Sequence, residues 1–119
     1  MKTKQLQDLC AGFPGAEQHV YGAPSNILVY AVGERKFAYF KTSEPEAWRF
    51  SIRVSPDRFV ELTDVPGIKP ARYMGRFHWV SLVRDVHALP DAYLAELVED
   101  SYRRALESLS KARRAALEC

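Results

Sequence analysis

The sequence predicts an α+β domain in two layers, with helices on one face of an antiparallel sheet. Apolar residues recur at helical spacing near both ends of the chain, whereas the middle has runs of strand character joined by short turns. Strands that follow one another through short turns pair antiparallel, and helices then pack on the sheet. Because 119 residues is close to the commonest domain size, we expect residues 1–119 to form one domain.

The first predicted element is a short amphipathic helix. Leu6, Leu9, Cys10 and Phe13 repeat at helical spacing, and most residues between them are polar. Gly12 and the Pro-Gly pair that follows are expected to end this helix.

Three strands are predicted next, the first two of them joined by a tight turn. Residues 26–32 form a nearly continuous apolar run, as in a strand covered on both faces. Gly33-Glu34 is a plausible two-residue turn, and residues 35–41 form the return strand.

The clearest strand pattern lies in residues 48–54. Large apolar side chains alternate there with polar ones, so one face is expected in the core and the other in water. The core set is Trp48, Phe50, Ile52 and Val54, and the water-facing set is Arg49, Ser51 and Arg53. We expect this cationic face to be the side of the sheet that the helices leave uncovered.

A second short helix is predicted by the residues that begin it. Ser55 supplies a hydroxyl N-cap, Pro56 suits the first helical position, and Asp57 places an acid in the first turn. The helix is expected to end by Thr63. Its apolar stripe consists of Phe59, Val60 and Leu62.

A further buried strand and a long helix complete the prediction. Residues 77–83 form the strand, with Trp79 in the core and His78 on the opposite face. Pro90 begins the helix, which would be about 43 Å long if it continued to residue 118. A compact domain of this size is only roughly 35 Å across, so residues 110–119 are expected to project or fray. The apolar face of the helix is Leu94, Leu97, Val98, Ser101, Tyr102, Ala105, Leu106 and Leu109.

One segment of the chain is strongly cationic. Residues 66–84 contain Lys69, Arg72, Arg76 and Arg84 and no acid, whereas the flanking sequence is nearly balanced. The whole chain has a formal charge of only +2 and a pI of about 8.6, which favours a nucleic-acid partner weakly. Any contact with an acidic partner is therefore expected to be local.

The sequence contains no recognisable catalytic, metal or cofactor signature. The cysteines form no Cys-x-x-Cys pair, and the histidines lack the spacing of a metal site. Ser81 is outside any Gly-x-Ser-x-Gly turn, and alternation directs it away from His78. We expect no metal, no cofactor and no enzymatic activity. Because no apolar run has the length of a signal peptide or a membrane span, we expect a cytoplasmic protein that makes no membrane contact.

Several short motifs follow one another along the chain in a specific order and spacing. They are Phe13-Pro14-Gly15-Ala16, Tyr21-Gly22-Ala23-Pro24, Lys36-Phe37-Ala38, Pro66-Gly67-Ile68, Pro70-Ala71-x-Tyr73-Met74-Gly75-Arg76-x-His78-Trp79-Val80 and Ser101-Tyr102. With these motifs the chain resembles the MmcQ/YjbR-like family of small bacterial proteins, from about residue 6 to residue 106. The resemblance implies a two-layer fold similar to the CyaY-like and secretion-chaperone folds, and a DNA-binding role by analogy of fold. No catalytic residues come with it.

The leading hypothesis is a non-enzymatic domain that binds DNA through the cationic sheet face and the loop over residues 69–78. About four phosphate contacts would give a log–log salt slope of about −3.6, which describes weak, salt-sensitive binding. The alternative for the same cations is an ordinary solvated face, neutralised by Glu34, Glu44, Glu46 or Asp57. The residues assigned to the DNA contact are Arg49, Arg53, Lys69, Arg72, Arg76 and His78.

Two other hypotheses stay open. The first is a protein-interaction or chaperone-like module, in which the last helix or an exposed sheet edge binds another chain or a second copy. The second, with the least support, is a small-molecule site or enzyme at the corner of Tyr73, Arg76 and His78.

Overall fold

The chain forms a six-stranded antiparallel sheet with three helices on one of its faces. The computed structural model describes residues 3–44, 46–71, 77–82 and 89–109. The strand order is β1-β2-β3-β4-β6-β5, and every neighbouring pair is antiparallel. The predicted α+β class is therefore confirmed. The elements in chain order are α1 (Thr3–Ala11), β1 (Ala16–Tyr21), β2 (Ile27–Val32), β3 (Arg35–Lys41), β4 (Phe50–Arg53), α2 (Pro56–Leu62), β5 (Ile68–Pro70), β6 (Trp79–Leu82) and α3 (Asp91–Glu107).

The hydrophobic core lies between the sheet and the three helices. Leu6 and Cys10 of α1 are fully buried in it, and Leu62 supplies the contact from α2. The apolar face predicted for the last helix is confirmed, because every member is buried. These members are Leu94, Leu97, Val98, Ser101, Tyr102, Ala105, Leu106 and Leu109.

A bulge in β3 changes the alternation of its side chains. The register against β2 shifts between Tyr30 and Ala31, which pair with Ala38 and Lys36 respectively. Phe37 is the extra residue. As a result Phe37 and Ala38, although adjacent in sequence, are both buried in the core on the helix side.

The local signals for turns and caps are confirmed. Gly33 and Glu34 both have positive φ, at 54° and 72°, as a two-residue type I′ hairpin turn requires. The Ser55 hydroxyl accepts a hydrogen bond from the backbone N–H of Arg58 at 3.2 Å, and Thr63 caps the end of α2.

The edge strand β1 was missed by the sequence prediction. The side chains of residues 17–21 are all exposed, so neither face of the strand needs apolar residues. The sequence therefore lacks the apolar–polar alternation that would indicate a strand. The strand exists because it pairs along its whole length with β2, from Ala16 opposite Val32 to Tyr21 opposite Ile27.

Other predicted positions are corrected by the structure. Trp48 lies outside β4 with a φ of 66° and is 45% exposed, so it is not a core residue. Val60 on α2 and Phe77 before β6 are also exposed. Ser51, predicted to face water, is fully buried.

The last helix is shorter than predicted. It ends at Glu107, where the N–H of Ser108 bonds to the carbonyl oxygens of Arg104 and Ala105 at 3.2 Å each. The predicted projecting end, residues 110–119, lies outside the described residues. Among the helices that the structure describes, none is long and apolar enough to cross a bilayer.

Candidate nucleic-acid interface

The predicted cations of β4 and β5 lie on the sheet face opposite the helices, which we call the outer face. A row of directly paired residues crosses this face from one sheet edge to the other. The strand neighbours of its central members, such as Phe40, Phe50 and Leu82, point into the core. The row consists of His19, Val29, Tyr39, Ser51, Ser81 and Lys69.

The centre of the outer face is filled by its own side chains. Val29, Ser51 and Ser81 are at most 2% exposed, and the two serine hydroxyls are hydrogen-bonded at 2.7 Å. The ring of Tyr39 contacts the ring of Trp79, with centroids 5.3 Å apart. Trp79 is buried as expected, but it lies on the outer face and not among the helix-side core residues. It is therefore not a platform on which a base could stack.

Arg49 and Lys69 meet at a shared carboxylate. Glu46 accepts hydrogen bonds from Arg49 Nη1 at 3.1 Å and from Lys69 Nζ at 3.2 Å. Burial alone would raise the pKa of Glu46. The hydrogen bonds and charges of Lys69 and Arg49 outweigh it and hold this pKa below its ordinary value. The structure thus brings two predicted site residues together and partly neutralises both.

Arg53 lies in a different environment, beside a cleft of about 310 Å³ at the end of the sheet. Arg35 and Lys36, which follow the β2–β3 turn, line the same cleft. In the part of the chain that the structure describes, Arg35, Lys36 and Arg53 form no ion pair. The other lining residues are Glu34, Trp79, Ser101, Ala105 and Ser108.

The position of Arg53 is fixed by a hydrogen bond to the last helix. Its backbone N–H donates to the Ser101 hydroxyl at 3.1 Å, and that hydroxyl donates to the Phe37 carbonyl oxygen at 2.6 Å. The end of β4 and the bulge of β3 are therefore held against α3. The Arg53 side chain projects from a rigid backbone, which lowers the entropy that it loses on binding a ligand.

A second, smaller cleft adjoins the first on the outer face. It measures about 250 Å³ and shares Glu34 and Lys36 with the first cleft. Lys36 Nζ lies 5.8 Å from the ring centroid of Tyr21, which is within cation–π range. Lys36 consequently stands between the two clefts and can contact a ligand in either. The rest of the lining is His19, Val29 and Ala31.

His78 lies apart from this surface. Its ring contacts the ring of Phe59 on α2, with centroids 5.5 Å apart, and its carbonyl oxygen accepts the N–H of Val54 at 2.9 Å. His78 is thus on the α2 side of the sheet. Arg72 and Arg76, together with the alternative corner residue Tyr73, lie outside the described residues.

Two residues of the cleft, Arg35 and Lys36, were missed as site residues. Their signal was present, because two adjacent cations follow a tight turn at the start of a strand. Plain alternation from Lys41 back through Tyr39 would have placed Arg35, not Lys36, on the outer face. The bulge at Phe37 reverses that assignment.

The described residues contain no group of three or more His, Cys, Asp or Glu side chains that could hold a metal ion.

Comparison with known proteins places the chain in a family. The YjbR family model matches residues 11–104. A protein of Escherichia coli K12 named "Uncharacterized protein YjbR" is 29% identical over 118 residues, which cover 98% of each chain. The protein from strain O157:H7 with the same name is equally similar.

Two solved structures have the same fold. The crystal structure of Deinococcus radiodurans DR2400, a DUF419 domain, has a TM-score of 0.82 and 27% identity, with 98% of this chain and 88% of that chain covered. The crystal structure of a Pseudomonas syringae protein has a TM-score of 0.67 and 19% identity, with 88% and 99% covered. Because the family model spans most of the sequence, the chain belongs to the YjbR family.

Proposed function

We propose that the cleft lined by Arg35, Lys36 and Arg53 binds DNA, with these three cations as the principal contacts to backbone phosphates. The observation that carries this proposal is the position of these three cations around one cleft, without an ion-pair partner among the described residues. Elsewhere in the same part of the chain, cations such as Arg58, Arg103 and Arg104 are paired with acids. Cations without an acidic partner are available to a phosphate, and guanidinium groups match its geometry in a bidentate way.

Lys69 and Arg49 extend this surface as weaker contacts. Lys69 is 53% exposed and can turn from Glu46 to a phosphate, whereas Arg49 is only 20% exposed and more firmly held. Arg72 and Arg76 stay predicted contacts. His78 is not assigned to the surface, because its ring packs against α2.

The binding is expected to be weak and insensitive to base sequence. Three or four phosphate contacts give a log–log salt slope of about −3 to −3.6. Trp79 is only 5% exposed, and Tyr21 in the adjoining cleft, 44% exposed, already contacts Lys36, so base stacking is expected to contribute little. Duplex DNA is therefore expected to bind at least as tightly as a single strand of the same length.

The test is a titration of fluorescently labelled duplex and single-stranded DNA, followed by anisotropy at several salt concentrations from about 50 mM upward. Arg53→Glu and Lys36→Glu should each weaken binding, on the order of tenfold at about 50 mM salt. Lys4→Glu, on the exposed surface of α1, is the matched control with the same charge change. It should leave the affinity nearly unchanged.

A second pair of variants looks for a gain of affinity, which a misfolded protein could not produce. Glu46→Gln removes the carboxylate that neutralises Arg49 and Lys69, so it should strengthen binding and steepen the salt slope. Glu61→Gln on α2 has the same chemistry away from the outer face and should have no effect. Undetectable binding at about 50 mM salt, or equal losses in Lys4→Glu and Arg53→Glu, would refute the proposal.

A further inference from the structure

The edge strand β1 has an unpaired side. It pairs with β2 through one edge, and no strand in the described part of the chain pairs with its other edge. Val20 is 70% exposed and Tyr21 is 44% exposed on this strand. An edge strand of this length presents free N–H and C=O groups to any chain that can extend the sheet.

The opposite edge of the sheet is protected, and β1 is not. Strand β5 has only three residues and contains Pro70, which cannot donate a hydrogen bond to a neighbouring strand. Strand β1 has six residues, no proline, no lysine and a regular register against β2. It therefore has neither proline nor lysine to oppose pairing, and Glu17 is its one acidic residue.

We propose that two copies of this chain associate through β1, as antiparallel strands related by a two-fold axis at Gln18. The polar side chains of the strand select this register, because the Glu17 carboxylate can accept a hydrogen bond from an imidazole N–H. Glu17 and His19 lie on the outer face, and both are exposed. Within one chain, Glu17 Oε2 and His19 Nε2 are 3.3 Å apart. With the axis at Gln18, Glu17 of each copy lies opposite His19 of the other, so that two complementary pairs form across the interface.

The neighbouring register is less favourable. An axis at His19 would place the two imidazoles opposite each other and leave Glu17 opposite Tyr21 of the second copy. The register with the axis at His19 therefore forms no complementary pair. The axis at Gln18 also places the exposed Val20 opposite Ala16 of the second copy, so apolar surface is buried on the helix side.

The dimer would join the two six-stranded sheets into one. A two-fold axis between antiparallel strands of one sheet runs perpendicular to that sheet, so both outer faces lie on the same side. Lys36 and Arg53 of both copies would then lie on one face of the joined sheet, and a polyanion long enough to reach both sets would bind with higher affinity through avidity. The association itself does not depend on the proposed DNA binding.

The interface is small, so the dimer is expected to form only at high protein concentration. One strand pair buries less than the roughly 800 Å² per partner of a standard interface. We expect a dissociation constant between about 10 µM and about 1 mM. Sedimentation velocity over this concentration range should show a monomer that converts to a dimer, and a monomer throughout would overturn the proposal.

A cysteine on the axis tests the register directly. In Gln18→Cys, the two new thiols would face each other with Cα atoms about 4.5–5.5 Å apart, which a disulfide can bridge. Air oxidation should therefore yield a covalent dimer. The experiment uses a Cys119→Ser background to remove the terminal thiol. The remaining Cys10 is buried and does not react.

Val20→Cys is the matched control. With the axis at Gln18, the two Cys side chains at position 20 would be offset by four residues, about 14 Å along the strands, and could not be bridged. Crosslinking of Gln18→Cys alone supports the proposed pairing. Crosslinking of neither variant, or of Val20→Cys alone, refutes it.

Charge reversal supplies an independent test that does not require a new thiol. Glu17→Lys should weaken the dimer at least severalfold, because it removes the carboxylate that accepts a hydrogen bond from His19 of the second copy. Adding His19→Glu should restore it, since a cation and a carboxylate then face each other across the interface. Glu61→Lys on α2 controls for the change in net charge. Equal effects of Glu17→Lys and Glu61→Lys, or no rescue by the second substitution, would contradict the pairing.

Discussion

The hydroxyl of Ser101 on α3 donates a 2.6 Å hydrogen bond to the backbone carbonyl oxygen of Phe37 in β3. The same hydroxyl accepts the backbone N–H of Arg53 at the end of β4, at 3.1 Å. Phe37 is the extra residue of a bulge, and such a residue has no partner in the strand ladder. One buried side chain thus satisfies two backbone groups and joins the helix layer to the sheet.

Removing this hydroxyl should destabilise the fold. Ser101→Ala would leave a buried carbonyl oxygen and N–H without their partner, and we expect a loss of about 2 kcal/mol in the free energy of unfolding. Urea denaturation of the two proteins measures it. Ser108→Ala is the control, because the Ser108 hydroxyl bonds only within its own helical turn, to Ala105. Its cost should stay below about 0.5 kcal/mol, and equal losses would contradict the role of Ser101.

The buried hydroxyls of Ser51 and Ser81 should be energetically coupled. They are hydrogen-bonded at 2.7 Å, and Ser51 is also hydrogen-bonded to Tyr39. Ser51→Ala removes a partner from both neighbours, whereas Ser81→Ala leaves Ser51 with Tyr39. We therefore expect Ser51→Ala to cost about 2 kcal/mol and Ser81→Ala about 1 kcal/mol.

The double variant completes the cycle. Once Ser51 is absent, removing Ser81 takes away a group that is already unsatisfied. The two losses should therefore sum to more than the loss in the double variant, by about 1 kcal/mol. Unfolding in urea provides all three values. Strict additivity would show that the hydrogen bond between the two serines contributes nothing.

Local sequence rules account for the helices and for the hairpin formed by β2 and β3. The buried face of α3 follows from helical periodicity alone, since the long apolar stripe admits one orientation against a sheet. The start of α2 and the turn at Gly33-Glu34 follow from residues whose backbone preferences are strong. Each of these features depends on residues close together in the sequence.

The features that the sequence did not predict depend on contacts between distant segments. The exposed strand β1 exists only because β2 pairs with it. Ser51 is buried because Ser81, thirty positions away, lies against it. Glu46 joins Arg49 to Lys69, which lies 23 positions after Glu46. The sequence offered Glu46 as one of four acids that could neutralise the cations, but it could not show which cations Glu46 pairs with. The position of the cationic cleft likewise depends on a bulge that no short motif announces.

The ion pairs of Glu46 should stabilise the protein at neutral pH and fail in acid. Because Lys69 and Arg49 lower its pKa in the folded state, the stabilisation is present above the unfolded value of about 4.5 and is lost as pH falls through the lower folded value. We expect wild type to exceed Glu46→Gln by about 0.5–1 kcal/mol at pH 7, since the groups are partly exposed. Once pH falls below the folded pKa of Glu46, the two proteins should be equally stable.

Unfolding in urea at several pH values tests this dependence. Glu61→Gln, on the exposed surface of α2, is the matched control and should differ little from wild type at neutral pH. A gap between wild type and Glu46→Gln that does not shrink as pH falls below about 4.5 would show that the carboxylate charge is not its source.

The thiol of Cys10 should resist chemical modification as long as the protein is folded. Burial in the core raises its pKa to about 12, so at pH 8 only about one thiol in 10⁴ is ionised. In Cys119→Ser, reaction with a disulfide reagent should therefore be at least about 10³-fold slower than for a free thiol. Addition of urea to the unfolding midpoint should remove this protection, because exposure restores the ordinary pKa. Cys10→Ser with Cys119 retained provides the comparison for a terminal thiol. Rapid labelling of Cys10 in the folded protein would show that α1 opens from the sheet without global unfolding.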